Sequence, residues 1–207
     1  MRLSGLGAVS VGVVIAVTAA GCASTVAGEG RLAAGEPIET TAPTDTGEDE
    51  LDCAEQSVSP AGAPYCYTEP AGLDEVDLGA PTAGEEGSFR TSYGFGPTDH
   101  IDVQAYAVGI DTDDLSDEEI IAELDTVVLD LESGGFDFEA EPTSLEVDGA
   151  RGFAYQGTAT EGPQAIIAHF VFRGSNEVQI NCASTEQTVD TIDAACSGVL
   201  DSLQIVG

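Results

Sequence analysis

The sequence predicts an α/β fold of the α+β type: a central antiparallel sheet covered by helices on both faces, an α/β/α sandwich. Three observations carry this reading. Beyond Pro64, apolar and polar residues alternate with a period of two in several runs, as on a strand with one buried face. The last four runs, residues 144–147, 151–160, 164–172 and 177–183, are joined by Asp148-Gly149, Gly162-Pro163 and Gly174-Ser175-Asn176, links short enough to require an antiparallel meander. Two further stretches, one before this meander and one after it, carry apolar residues at helical spacing.

Three segments follow one another along the chain: 1–21, 22–62 and 63–207. In the first, Arg2 precedes an uncharged apolar run from Leu3 to Ala20, and Ala19-Ala20-Gly21 leads to Cys22. This is the pattern of a bacterial lipoprotein signal peptide, in which the cysteine thiol takes a diacylglycerol and the preceding residues are removed. A transmembrane span needs ~20 apolar residues and is the rival reading; Gly5, Gly7 and Gly12 favour the cleaved segment. The mature protein would then begin at Cys22, lipid-anchored to the cell membrane on its extracytoplasmic face. Residues 22–62 are rich in Ala, Gly, Thr, Pro and Glu, with almost no large apolar residue beyond Leu32, Ile38 and Leu51. Such a stretch cannot bury enough surface to offset chain entropy and is expected to be a disordered acidic tether. A flexible chain of this length spans about 35 Å root-mean-square.

The domain 63–207 is read in order. Phe89, Thr91, Tyr93 and Phe95 share one face of a strand, and Ile101, Val103, Ala105 and Ala107 one face of the next. Asp102 and Gln104 are expected to face out, which predicts a strand covered on one side only, near a sheet edge. Ser116 and Glu119 form a capping box that opens a helix, Ile120, Leu124, Val127, Val128 and Leu131 supply its apolar stripe, and Gly134-Gly135 ends it. In the run 164–172 both parities are apolar, so this strand needs cover above and below. The second cover is a C-terminal helix, with Ser184 and Gln187 read as its capping box and Val189, Ile192, Cys196, Val199, Leu200 and Leu203 as its stripe.

Charge and cysteine usage bound the function. The chain has 38 acidic residues against five basic ones, a net charge of −33, and contains no lysine. Such a field repels phosphate backbones and anionic headgroups, so no nucleic acid is expected as a partner and membrane attachment rests on the lipid at Cys22. Four cysteines remain beyond Cys22, an even count that in an exported chain reads as two disulfides. Locality favours Cys53 with Cys66 and Cys182 with Cys196. The second pair would join the last strand to the last helix and contribute about 3 kcal/mol. Neither pair has a zinc-like spacing, so no metal is expected.

Certain residues carry a resemblance. Tyr65-Cys66-Tyr67-Thr68-Glu69-Pro70-Ala71-Gly72-Leu73, then Val147-Asp148-Gly149-Ala150-Arg151-Gly152, and finally Ala194-Ala195-Cys196 through Val199-Leu200-Asp201-Ser202-Leu203 resemble actinobacterial LpqN-type exported lipoproteins with the PsbP/Mog-like fold. The resemblance covers residues 63–205. It implies that fold and a non-catalytic binding or accessory role, and it carries no site motif.

The remaining candidates are weighed residue by residue. Asp111, Asp113, Asp114, Asp117, Glu118 and Glu119 form the densest acidic cluster, but Ser116 and Ala122 stand where a calcium loop wants glycine and glutamate. A solvated turn leading into a helix N-terminus is the simpler reading. No Gly-x-Ser-x-Gly accompanies His100 or His169, and His169 reads as a packed residue with one hydrogen bond. Tyr93 and Phe95, beside Gly94 and Gly96, together with Phe136 and Phe138, are the candidate lining of a ligand groove. The chain is thus expected to be a membrane-anchored extracytoplasmic module, not an enzyme, without cofactor, that binds an envelope protein or a glycolipid. A lipid carrier is the second reading and an envelope hydrolase the third.

Overall fold

The computed structural model describes residues 51–79 and 89–207. Residues 1–21, Cys22 and the stretch 23–50 lie outside these, so the signal, the anchor and most of the tether are not part of the structural account. What is described begins earlier than composition alone indicates. Cys53 is bonded to Cys66, and strand β1 (Ser57–Val58) pairs antiparallel with β2 (Tyr65–Thr68). Residues 53–58, read as the end of the tether, are therefore folded. Their order comes from a covalent bond and backbone pairing, neither of which apolar content reports.

Ten further strands and helices follow: β3 (Asp74–Glu75), β4 (Phe89–Gly96), β5 (Asp99–Ala107), α1 (Asp117–Ser133), β6 (Phe136–Phe138), β7 (Thr143–Val147), β8 (Ala150–Ala159), β9 (Ala165–Arg173), β10 (Asn176–Ser184) and α2 (Val189–Ser202). A last short strand, β11 (Gln204–Ile205), pairs with β2 and completes a small sheet β1-β2-β11. The large sheet is antiparallel throughout and runs β3-β4-β5-β10-β9-β8-β6, with β7 also paired to β8. The meander β7-β8-β9-β10 turns where expected. Asp148 and Gly149 both have positive φ, 51° and 71°, the geometry of a tight two-residue hairpin whose backbone favours Asp-Gly.

Helices cover both faces of this sheet, as predicted. Beneath α2, Ile192, Cys196 and Val199 join Ile101, Val103, Val178, Ile180, Val171 and the tyrosines of β2 in one cluster. Beneath α1, Ile120, Leu124 and Val128 pack on Phe138, Phe153, Tyr155, Ala168, Phe170 and Phe172. The two-sided strand 164–172 is β9, with Phe170 on the α1 side and Val171 on the α2 side. The Cys182–Cys196 bond pins α2 to β10, and both disulfides have the expected partners.

Three local expectations are corrected. Strand β5 is interior, between β4 and β10, and Asp102 and Gln104 are only 2% and 8% exposed; they face a buried polar layer instead of solvent. The start of α2 is also different: Ser184 ends β10, and the N-cap position is Thr188, whose side chain makes no capping bond. The turn is organised from the adjacent strand β5 by Asp99, whose Oδ1 accepts from the Thr185 amide and hydroxyl, 2.8 Å each, and from the Thr188 hydroxyl. Burial pushes the Asp99 carboxyl up, but the donors Thr188, Thr98 and Thr185 outweigh it and hold it down at about 2. Finally, the ladder between β4 and β5 shifts register between Gly94 and Gly96. A Cβ at Gly94 would overlap the Asp99 carbonyl and sit 2.7 Å from the His100 Cα. The irregularity breaks the alternation and leaves Phe95 58% exposed.

Candidate binding groove

The α1 side of the sheet is divided. Over β6, β8 and β9 it is apolar and lies under α1; over β4, β5 and β10 it carries Arg90, Ser92, Asp102, Gln104, Gln179 and Asn181. Asp102 is the centre of this layer. Its carboxylate accepts from Arg90 Nε at 2.7 Å and Nη2 at 2.8 Å, from Ser92 Oγ at 2.7 Å and from Gln104 Nε2 at 2.7 Å. Tyr106 in turn donates its hydroxyl to Gln104 Oε1, and Gln179 Nε2 donates to Asn181 Oδ1 at 3.1 Å. A bidentate guanidinium with further donors on both oxygens satisfies a charge that would otherwise be costly to bury.

A groove of about 450 Å3 opens at one end of the seam between the two halves, where Phe172 of β9 pairs with Glu177 of β10. One wall is α1, through Ile120, Leu124 and Val127; the other is the segment after β5, through Val108, Ile110 and Leu115. Phe172 of β9 and Glu177 of β10 form its floor. The wall after β5 is tied down from outside the groove. Val108 N donates to Ser175 O at 2.9 Å, while Thr112 N and Oγ1 donate to Gly174 O at 2.7 and 2.8 Å. Arg151 donates to the carbonyls of Thr112 and Leu115 and to Asp117 Oδ1, fastening the same segment to β8 and to the start of α1. The groove is therefore preformed, with Ile110 52% and Val127 36% exposed at its rim.

Glu177 is the unusual group there. Its carboxylate has no hydrogen-bond or ion-pair partner among the described residues, and burial alone pushes its carboxyl up to about 7. Glu123 of α1 lines the same groove, and Tyr106 of β5 is close enough that Glu177 helps raise its phenol. Sequence reasoning missed Glu177. It is the second residue of a strand and one of 38 acids, and nothing in the local pattern separates it from solvent-facing neighbours.

The expected aromatic groove is not assembled. Tyr93 belongs to the cluster under α2, Phe95 is exposed, and Phe136 and Phe138, with ring centroids 6.1 Å apart, sit on β6. Strands β5, β10, β9 and β8 separate the two pairs. Phe138 instead covers Gly157, where a Cβ would lie 2.6 Å from its ring, and lines a second cleft with Gln156, Ile167 and Asp193. The acidic turn is engaged internally. Asp111 Oδ1 accepts from Asp113 N, Asp113 Oδ2 from Gly174 N, and Glu119 completes the capping box with Ser116.

His169 is packed as anticipated, with Nδ1 3.2 Å from Ile180 O. Burial lowers its pKa, against a smaller opposing effect of that carbonyl. It forms, with Cys182 and Cys196, a cluster of atoms within 4.8 Å that are metal ligands in other settings; here the two sulfurs are bonded to each other and are not free as thiolates. Among the described residues no helix is long and apolar enough to cross a membrane.

No protein-family model and no curated protein sequence matches the chain. Solved structures do. The cyanobacterial PsbP protein CyanoP from Synechocystis superposes with a TM-score of 0.52 at 14% identity, over 76% of this chain and 99% of its own. LpqN of Mycobacterium tuberculosis, a protein involved in cell envelope biogenesis, matches with a TM-score of 0.45 at 13% identity, over 73% of this chain and 90% of its own. At such identities the likeness is one of fold, the one the motifs at Tyr65 and Arg151 lead one to expect: the chain has a PsbP-like fold.

Proposed function

We propose that the protein is a lipid-anchored extracytoplasmic module that binds a small ligand at the cell envelope and does not turn it over. The observation that carries this reading is the groove between α1 and β10. It is preformed, largely apolar and within the ~300–1,000 Å3 range of small-molecule sites, and its lining contains neither histidine, cysteine nor serine. Two disulfides favour an oxidising compartment, and the pattern ending at Cys22 supplies the anchor. A lipid or glycolipid carrier ranks second, because a groove of about 450 Å3 with a carboxylate in its floor suits a compact ligand better than paired acyl chains.

Two measurements test the reading. Labelled palmitate should enter the wild-type chain and not Cys22→Ala; label retained by the variant removes the anchor. Purified protein should leave envelope substrates intact, and turnover that disappears in Glu177→Gln would make the groove an active site.

A further inference from the structure

The groove holds a half-buried carboxylate, Glu177, without a hydrogen-bond or ion-pair partner among the described residues, and no described cation is placed to pair with it. The sequence contains no lysine. Among the described residues the cations are Arg90, Arg151 and Arg173, each paired elsewhere: with Asp102, Asp117 and Asp148. Arg90 and Arg173 also donate to backbone carbonyls at 3.2 and 2.7 Å, so their guanidiniums are committed. A half-buried carboxylate beside apolar walls loses part of its hydration, and an arriving counter-charge offsets that loss.

We propose that the groove is a binding site for an organic ammonium ion with an apolar body, the ammonium paired with Glu177 and the body lying between Val127 of α1 and Ile110. Charge complementarity selects the head: Glu177 is the partnerless carboxylate in the floor, Glu123 adds a second negative charge to the lining, and the Tyr106 phenol on β5 is neutral at physiological pH. Apolar walls select the body. Ile120, Leu124, Leu115 and Phe172 present no hydrogen-bonding side-chain atom, so a hydrated metal ion would have to shed water largely against hydrocarbon, with two carboxylates, Glu177 and Glu123, and the hydroxyls of Thr112 and Thr126 as the oxygen-bearing side chains of the lining. A protonated amine on an alkyl or aryl body meets both demands, and the chain's net charge of −33 raises the local concentration of any cation. This inference deepens the binding-module reading and rests on it.

The geometry also sets a proton linkage. Glu177 is held up near 7 by burial, so below that pH it is largely neutral, and a cation that pairs with it must displace its proton. The other ionisable groups facing it, Glu123 and Tyr106, carry no positive charge that could substitute.

Calorimetry with n-octylammonium chloride, below its micellar range, tests the proposal on the full chain carrying Cys22→Ala, so that no acyl anchor is present. Octylammonium should bind at least tenfold more tightly than octanol or octanoate, and should release protons at pH 6, seen as a dependence of the heat on buffer ionisation. Glu177→Gln should lower the affinity at least tenfold, whereas Glu186→Gln, beyond the other end of β10, should leave it within twofold. Val127→Arg, at an exposed rim position, should also abolish binding, and it keeps the test decisive if Glu177→Gln misfolds. Equal affinity for the amine and the alcohol, or equal losses in Glu177→Gln and Glu186→Gln, would overturn the proposal. Such a failure leaves the palmitate and turnover results standing, so the ligand class and the module reading fail separately.

Discussion

The two faces of the large sheet solve the same burial problem differently. The face under α2 is one large apolar cluster from Tyr65 to Ile205 with His169 as a buried polar member of that face, and Ile101, Val178, Ile180, Ile192 and Val199 are all completely buried in the cluster. The face under α1 is split between an apolar half and the polar layer around Asp102, and the groove opens at one end of the seam, at Phe172 and Glu177. A continuous core maximises the area removed from water and leaves no gap. Where the apolar half under α1 meets the polar layer, packing is interrupted and a groove opens at Phe172 and Glu177, whereas the cleft beside α2 lies at the edge of its core, at Ile167 and Asp193. The larger apolar core lies on one face and the proposed binding groove on the other.

Four tests probe that contrast. The largest effect is expected on the α2 face: Ile192→Ala should cost about 4 kcal/mol in urea unfolding, since the helix is pinned by a disulfide and the cavity collapses poorly. A cost near 1 kcal/mol would mean that the cluster is looser than its burial implies. On the polar half, Asp102→Ala should cost about 3 kcal/mol because Arg90 loses its bidentate partner, whereas Arg90→Met with Asp102→Leu should come within about 1 kcal/mol of wild type. If the double variant is as damaged as the single one, the polar layer contributes to stability directly.

The third effect depends on pH. The Glu177 carboxyl is raised when folded, so between about 4.5 and about 7 the folded state keeps a proton that the unfolded chain has lost. Stability from this group is full below that window and falls as pH rises through it. Glu177→Gln should therefore be about 1–2 kcal/mol more stable than wild type at pH 8 and indistinguishable from it at pH 4. A constant difference across that range would show that the carboxylate is hydrated. The smallest effect is at the start of α1, where Ser116→Ala removes the bond to the Glu119 amide and should cost about 1 kcal/mol, with faster hydrogen exchange confined to the first turn. Loss of protection along the whole helix would mean that the groove wall depends on its cap.

Much of the architecture was legible because it is locally encoded. Ser116 and Glu119 form the capping box, Asp148-Gly149 makes the tight turn, and the two-parity apolar run at 166–172 lies between two helices. The groove was not legible. Its wall residues Ile120, Leu124 and Val127 read as a helix stripe, but Glu177 faces them from a strand about 50 residues later in sequence. The aromatics at Tyr93 and Phe136 misled for the same reason: both stand beside glycines, and only strand order shows that four strands part them.

The sequence by itself determined the α+β class, the helix stripes, the meander, the cysteine pairs and the strong acidity of the chain. Each of these is a property of neighbours along the chain or of total composition. Tertiary structure alone decided that β5 is interior, that Asp99 on the adjacent strand organises the start of α2, that residues 53–58 fold, and that Glu177 lies in a largely apolar groove without a partner among the described residues. Those outcomes depend on which distant segments meet. Periodicity specifies the face on which a side chain stands and carries no information about what stands opposite.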